Sequence, residues 1–96
     1  MLHRVEFSLH QNSGQHCQAN SRIFVEESIA TDFIEKVSAI MQSHKIGDPL
    51  DQATFQGPQG DKQQQERVLA LIENGKQNAE LVIGGNGAKV NGKVCV

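Results

Sequence analysis

Cys17 closes the run Asn12-Ser13-Gly14-Gln15-His16-Cys17, whose residue types suit covalent chemistry. A cysteine thiolate is a strong nucleophile. Gly14 permits a tight backbone and the close approach of a substrate. Main-chain N–H groups on such a loop can receive an oxyanion. His16 beside the thiol can lower its pKa, although neighbours in sequence often point apart. The competing reading is a buried, inert thiol that packs as a small hydrophobe. Taken on residue types alone, that reading is the commoner one, because lone cysteines are common and nucleophiles rare.

The other candidates offer less. Cys95 is the second cysteine, and two cysteines allow one disulfide, but nothing indicates an oxidising compartment. No C-x-x-C is present, so no zinc pattern is seen. His3, His10 and His44 fit no metal spacing with a carboxylate or thiol and read as surface or incidental residues. Gly84-Gly85-Asn86-Gly87 lacks the spacing and the following helix of a phosphate-binding turn.

Composition narrows the class. The chain has 96 residues, one domain at most. Its formal net charge is −2, and no Lys/Arg cluster is present, which argues against nucleic acid or an anionic membrane as partner. No apolar stretch is long enough to span a bilayer, and Met1–Glu6 lacks the apolar run of a signal peptide. The expected location is the cytoplasm, with the mitochondrial matrix as alternative. Four Phe and no Trp or Tyr leave few of the side chains that contribute most to a small core.

Several elements must position Cys17. Val5, Phe7 and Leu9 alternate, as in a short strand, but equally fit a helix end. Asn12-Ser13-Gly14 reads as a turn. Residues 22–26 (RIFVE) read as a buried parallel strand. Ser28 is the expected N-cap of a helix with Ile29, Phe33, Ile34, Val37, Ile40 and Met41 in one stripe, ended by Gly47 and Pro49. Residues 47–60 form a long loop of the kind that is often functional. Asp61 opens a second helix, with Gln64 completing a capping box. Its apolar face is Val68, Leu69, Leu71 and Ile72, and Gly75 is the expected C′ residue. Residues 80–83 (ELVI) read as a second strand, and Asn91-Gly92 predicts a type I′ hairpin. The expected class is α/β: parallel strands at 22–26 and 80–83, two amphipathic helices and a C-terminal hairpin.

The run from Asn12 to Arg22 resembles the cysteine motif of NAD(P)-dependent aldehyde dehydrogenases. There a Gly-Gln or Gly-Glu pair precedes the nucleophile with one residue between, and Ser-Arg leads into a strand. The likeness continues through Val25-Glu26-Glu27-Ser28-Ile29 with Phe33, Lys45–Asp51, Gln56-Gly57-Pro58, Ile72-Glu73 with Gly75-Lys76, and Leu81–Gly85. It is strongest over residues 11–85. The resemblance implies a single segment, 1–96, of a three-layer catalytic domain. It also implies oxidation of a small-molecule aldehyde to a carboxylic acid with NAD or NADP, through a thiohemiacetal and a thioester on Cys17. Gln64 matches a position that reaches the cofactor ribose, its competing role being the capping box. His10, Gln11, His16 and Gln18 match positions flanking the substrate channel.

The sequence departs from the family pattern at His10, Gln11, Gln18, Gly60 and Gln65, which stand where small or apolar residues are usual. A buried polar group without a partner costs about 1–3 kcal/mol. After Gly85 the tail diverges. The family's glutamate base and the asparagine of its oxyanion hole fall before Met1, and no dinucleotide-binding domain is present. The isolated chain is therefore expected to be inactive and to bind no cofactor well. Two other readings compete: a non-catalytic remnant or interaction module, and a cofactor-free reactive-thiol protein. The last expects a Cys17 thiol more acidic than the usual value of about 8.5. Open sheet edges at the two strands would favour self-association.

Overall fold

The computed structural model describes residues 2–95, with side chains described for 4–92. Three helices and a hairpin follow in chain order: α1 (Leu2–His10), α2 (Glu27–Ser43), α3 (Lys62–Lys76), β1 (Ala88–Val90) and β2 (Lys93–Cys95).

The ambiguity at the N-terminus resolves to a helix. Val5 and Leu9, four residues apart, are both partly buried, whereas Phe7 between them is 50% exposed. That is the burial pattern of one helix face, not of a strand. α1 packs against α2. On α2 the inward face carries Ala30, Phe33, Val37, Ile40 and Met41, while Ile29 and Ile34 are exposed. Two boundary expectations are corrected. Glu26, not Ser28, is the N-cap, and the Ser28 hydroxyl inside the first turn donates to Glu26 Oε1 at 2.9 Å. α2 stops at Ser43, ahead of Gly47, because His44 turns extended (ψ 125°) and the Ser43 hydroxyl donates to the Ile40 carbonyl.

α3 begins as expected. Asp61 is the N-cap, and its Oδ1 accepts the Gln64 N–H at 2.7 Å. Its end differs. Gly75 lies within the helix, Gln77 is the C-cap, and the amides of Asn78 and Ala79 both donate to the Gly75 carbonyl. Gln65, one of the departures, is buried on α3. Its Nε2 donates to the Ala88 carbonyl at 3.5 Å, so the amide finds a partner on β1.

The loop expected at 47–60 is ordered by its own hydrogen bonds. Ile46 and Gln56 form an isolated parallel bridge. Asp48 Oδ1 accepts the Leu50 amide and Asp51 Oδ1 the Ala53 amide, both at 2.9 Å, which makes two Asx turns in succession. The tail is the expected hairpin: β1 and β2 pair antiparallel, with Asn91 (φ 50°) and Gly92 (φ 77°) in the left-handed conformations of a type I′ turn.

The parallel sheet is corrected. Residues 22–26 and 80–83 belong to no strand, and the sheet among the described residues is the two-stranded hairpin. Parallel pairing requires neighbouring strands in register, and the two apolar runs form no bridge with each other. Some of their side chains are instead left outward: Phe24 is 94% exposed and Val82 53%, while Val25 and Ile83 are partly buried.

Candidate active site

Cys17 is exposed, on a loop between α1 and the extended run before α2. The loop gets its shape from the residues ahead of the cysteine. Asn12 (φ 53°, ψ 38°), Ser13 (φ 58°, ψ 36°) and Gly14 (φ 70°) form a left-handed turn. For a non-glycine residue that conformation costs about 1–2 kcal/mol. Local hydrogen bonds hold it: Asn12 Nδ2 donates to the Gln15 carbonyl at 3.2 Å, and the Gln15 backbone and side-chain amides both donate to the Asn12 carbonyl.

Long-range bonds fix the turn against residues 57–60. The Ser13 hydroxyl donates to the Gly57 carbonyl at 3.0 Å, Gln59 Nε2 to the Ser13 carbonyl at 3.3 Å, and the Gly60 amide to Gln15 Oε1 at 2.7 Å. The Gly-Gln pair and the Gln56-Gly57-Pro58 landmark, distant in sequence, thus meet at one clasp. Buried Gln59 is part of it, and sequence reasoning had no signal for that residue.

His16, exposed like Cys17, is directed elsewhere: its Nδ1 accepts the Gln18 amide at 3.3 Å. That lone pair is not available to take the thiol proton. Gln11 and Gln18 are also exposed.

A cleft of about 780 Å³ opens beside this loop, lined by Gly14, Gln15, Gln64, Ile83 and Asn86 among others. Gln64 therefore faces the cleft while its backbone serves the α3 cap. A carboxamide both donates and accepts, which suits the hydroxyls of a ribose. Of the residues expected at the site, His10 and Gln64 line the cleft, whereas Gln11, His16, Cys17 and Gln18 are exposed outside its lining.

A second cluster lies deeper. Glu6 on α1 is 3% exposed, and its Oε1 stands 3.1 Å from Nδ1 of His44. His10 meets His44 edge-on, and His44 stacks on Phe55 with centroids 3.6 Å apart. Burial holds the His10 imidazole below its usual pKa; the Glu6 carboxylate opposes this and His44 reinforces it. The expectation that His10 and His44 are surface residues is corrected, since both are partly buried and turned toward each other. The signal was the four-residue spacing of Glu6 and His10, informative only once residues 2–10 are known to be helical.

The model of the aldehyde dehydrogenase family matches residues 1–95, reaching past Gly85 into the tail. The chain belongs to that family. It is 40% identical over 92 residues to the mitochondrial aldehyde dehydrogenase of Equus caballus, covering 95% of this chain and 18% of that one. It is 46% identical over 85 residues to aldehyde dehydrogenase 1A1 of Rattus norvegicus, covering 84% and 17%. Among solved structures, HpcC from Thermus thermophilus superposes with a TM-score of 0.88 at 38% identity, covering 92% of this chain and 17% of that one. The chain thus spans less than a fifth of the length of these relatives. Among the described residues no helix is long and apolar enough to cross a membrane.

Proposed function

We propose that this chain carries the nucleophile-bearing segment of an aldehyde dehydrogenase, with Cys17 as the attacking residue. The observation behind the reading is the exposure of Cys17 directly after a left-handed turn clasped to residues 57–60. Such a clasp presents the thiol while holding the backbone that surrounds it.

In this reading the Cys17 thiol loses its proton and the sulfur adds to the aldehyde carbon. The carbonyl π pair moves to oxygen, giving a thiohemiacetal. The Cys17 N–H donates to that oxygen and spreads its charge. NAD(P)+, when bound, would supply the hydride acceptor for conversion of the adduct to a Cys17 thioester, and Gln64 is the residue of this chain that would meet its ribose. Hydrolysis of the thioester releases the carboxylic acid and restores the thiol. The glutamate that activates the water and most of the dinucleotide site belong to parts of the family enzyme not matched here, so the 96 residues alone bind aldehyde without turnover.

The test uses an aldehyde labelled with ¹³C at its carbonyl. A thiohemiacetal carbon resonance is expected with the wild-type chain, absent in Cys17→Ala, and no reduced nucleotide forms when NAD+ or NADP+ is added. An adduct that survives in Cys17→Ala, or no adduct with the wild type, overturns the nucleophile assignment. Nucleotide reduction lost in Cys17→Ala overturns the prediction of inactivity.

A second reading, an interaction module, is favoured by the outward side chains of Phe24 (94% exposed) and Leu50 (92%). Large apolar groups left in water favour burial against another surface. It expects Phe24→Lys to lower self-association in sedimentation.

A further inference from the structure

We propose that Glu6, His10 and His44 form a binding site for a divalent transition-metal cation of the zinc class.

Each of the three offers one donor atom, and these atoms all lie within 4.8 Å of one another. The arrangement has a simple origin. Glu6 and His10 are one turn apart on α1, so their side chains share a face. α1 packs on α2, and His44 is the C-cap residue of α2. The site therefore joins the two helices.

The polar atoms are unsatisfied as they stand. Glu6 Oε1, His10 Nδ1 and His44 Nδ1 are all buried without a hydrogen-bond partner. The 3.1 Å separation of Glu6 and His44 is an ion-pair distance whose geometry does not qualify as a hydrogen bond. The Glu6 side chain is only 4% exposed, so its carboxylate is nearly cut off from water. A buried carboxylate requires a counter-charge, and a cation held by three donors provides one.

The donor set selects the metal. Two imidazoles and one carboxylate are the protein ligands of open tetrahedral zinc sites. Calcium and magnesium prefer all-oxygen shells and are disfavoured here. At zinc bond lengths, tetrahedral donors lie about 3.3 Å apart. Glu6 and His44 are already near that spacing, and the His10 donor lies within 4.8 Å of both. Phe55 stacks on His44 at 17° between planes and fixes its ring, the task of an outer shell. His10 and His44 both line the cleft, which brings the site to within a side chain of the solvent-filled space. His10 departs from the family pattern, so the site does not follow from family membership.

The experiment is calorimetric titration of the whole 96-residue chain with Zn²⁺, paired with Co²⁺ absorption spectra. One ion per chain is expected, with the intense visible bands of tetrahedral Co²⁺. Glu6→Gln and His10→Phe, which keep the volume of the site, should each weaken binding more than the roughly 10–100-fold that loss of an outer-shell partner causes. A His16→Asn, Cys17→Ser double variant removes the exposed histidine and cysteine donors among the described residues and should bind as the wild type does. A measurement on the unmutated chain guards against misfolded variants: Co²⁺ should shift the ring protons of His10 and His44. No stoichiometric binding, shifts confined to His16, or binding that survives Glu6→Gln and His10→Phe overturns the proposal.

Discussion

The Gly60 amide donates to the side-chain oxygen of Gln15 at 2.7 Å, across 45 positions of sequence. Gly60 also gives way to that contact, because a Cβ built on it would lie 3.1 Å from the same oxygen. Its departure from the family's apolar pattern thus has a local cause. Gln15→Ala should cost about 0.5–1.5 kcal/mol, the net value of a typical hydrogen bond. Amide exchange is the check: protection of Gly60 should fall while that of Gln64, held by Asp61, stays.

Gly14 tests the left-handed turn without disturbing packing. A Cβ there would meet nothing closer than the Leu9 carbonyl at 3.7 Å, yet φ is +70°. Gly14→Ala should therefore cost about 1–2 kcal/mol from backbone conformation alone. Gly14→Asn should cost less, since Asn tolerates this region. Melting curves of the two variants compare them directly.

Asp61 sets the start of α3. Asp61→Ala should destabilise by about 0.5–2 kcal/mol, and Asp61→Ser should recover most of it. Loss of helical circular dichroism shared equally by both variants would contradict a capping role.

Asp51 carries a pH dependence. The hydrogen bond from Lys45 at 2.6 Å, then that from the Ala53 amide, and the Lys45 charge hold its carboxyl below the usual 3.8. A depressed folded pKa stabilises the fold above the unfolded value and is lost as pH falls through the folded one. The expected window therefore lies below pH 3.8. In an NMR titration the Asp51 midpoint should be low in the wild type and rise toward 3.8 in Lys45→Met.

What the sequence made legible divides by range. Asp61, Asn91 and Gly92 act through bonds and dihedrals within a few residues, so their roles could be read directly. The stripe on α2 was legible because helical spacing needs only the helix itself. Residues 22–26 and 80–83 misled because an apolar run records a need for burial without naming the surface that meets it. Cys17 stands out in the sequence only through its motif neighbours, and its role rests on the proposal above. The clasp from Ser13 and Gln15 to residues 57–60 depends on contacts over more than forty residues, and no periodicity encodes them. Glu6 and His44 stayed hidden for the same reason.

Val37, at 7% exposure, is the apolar side chain among the described residues that reaches full burial. Heat capacity of unfolding follows the apolar area newly wetted, and is ordinarily about 12–15 cal/mol/K per residue. A chain whose Phe24, Leu50 and Leu71 are already wet has less left to wet than a closed core of the same length. In a calorimeter it should therefore melt as a broader endotherm than a well-buried chain of this length, with a stability curve less bowed against temperature.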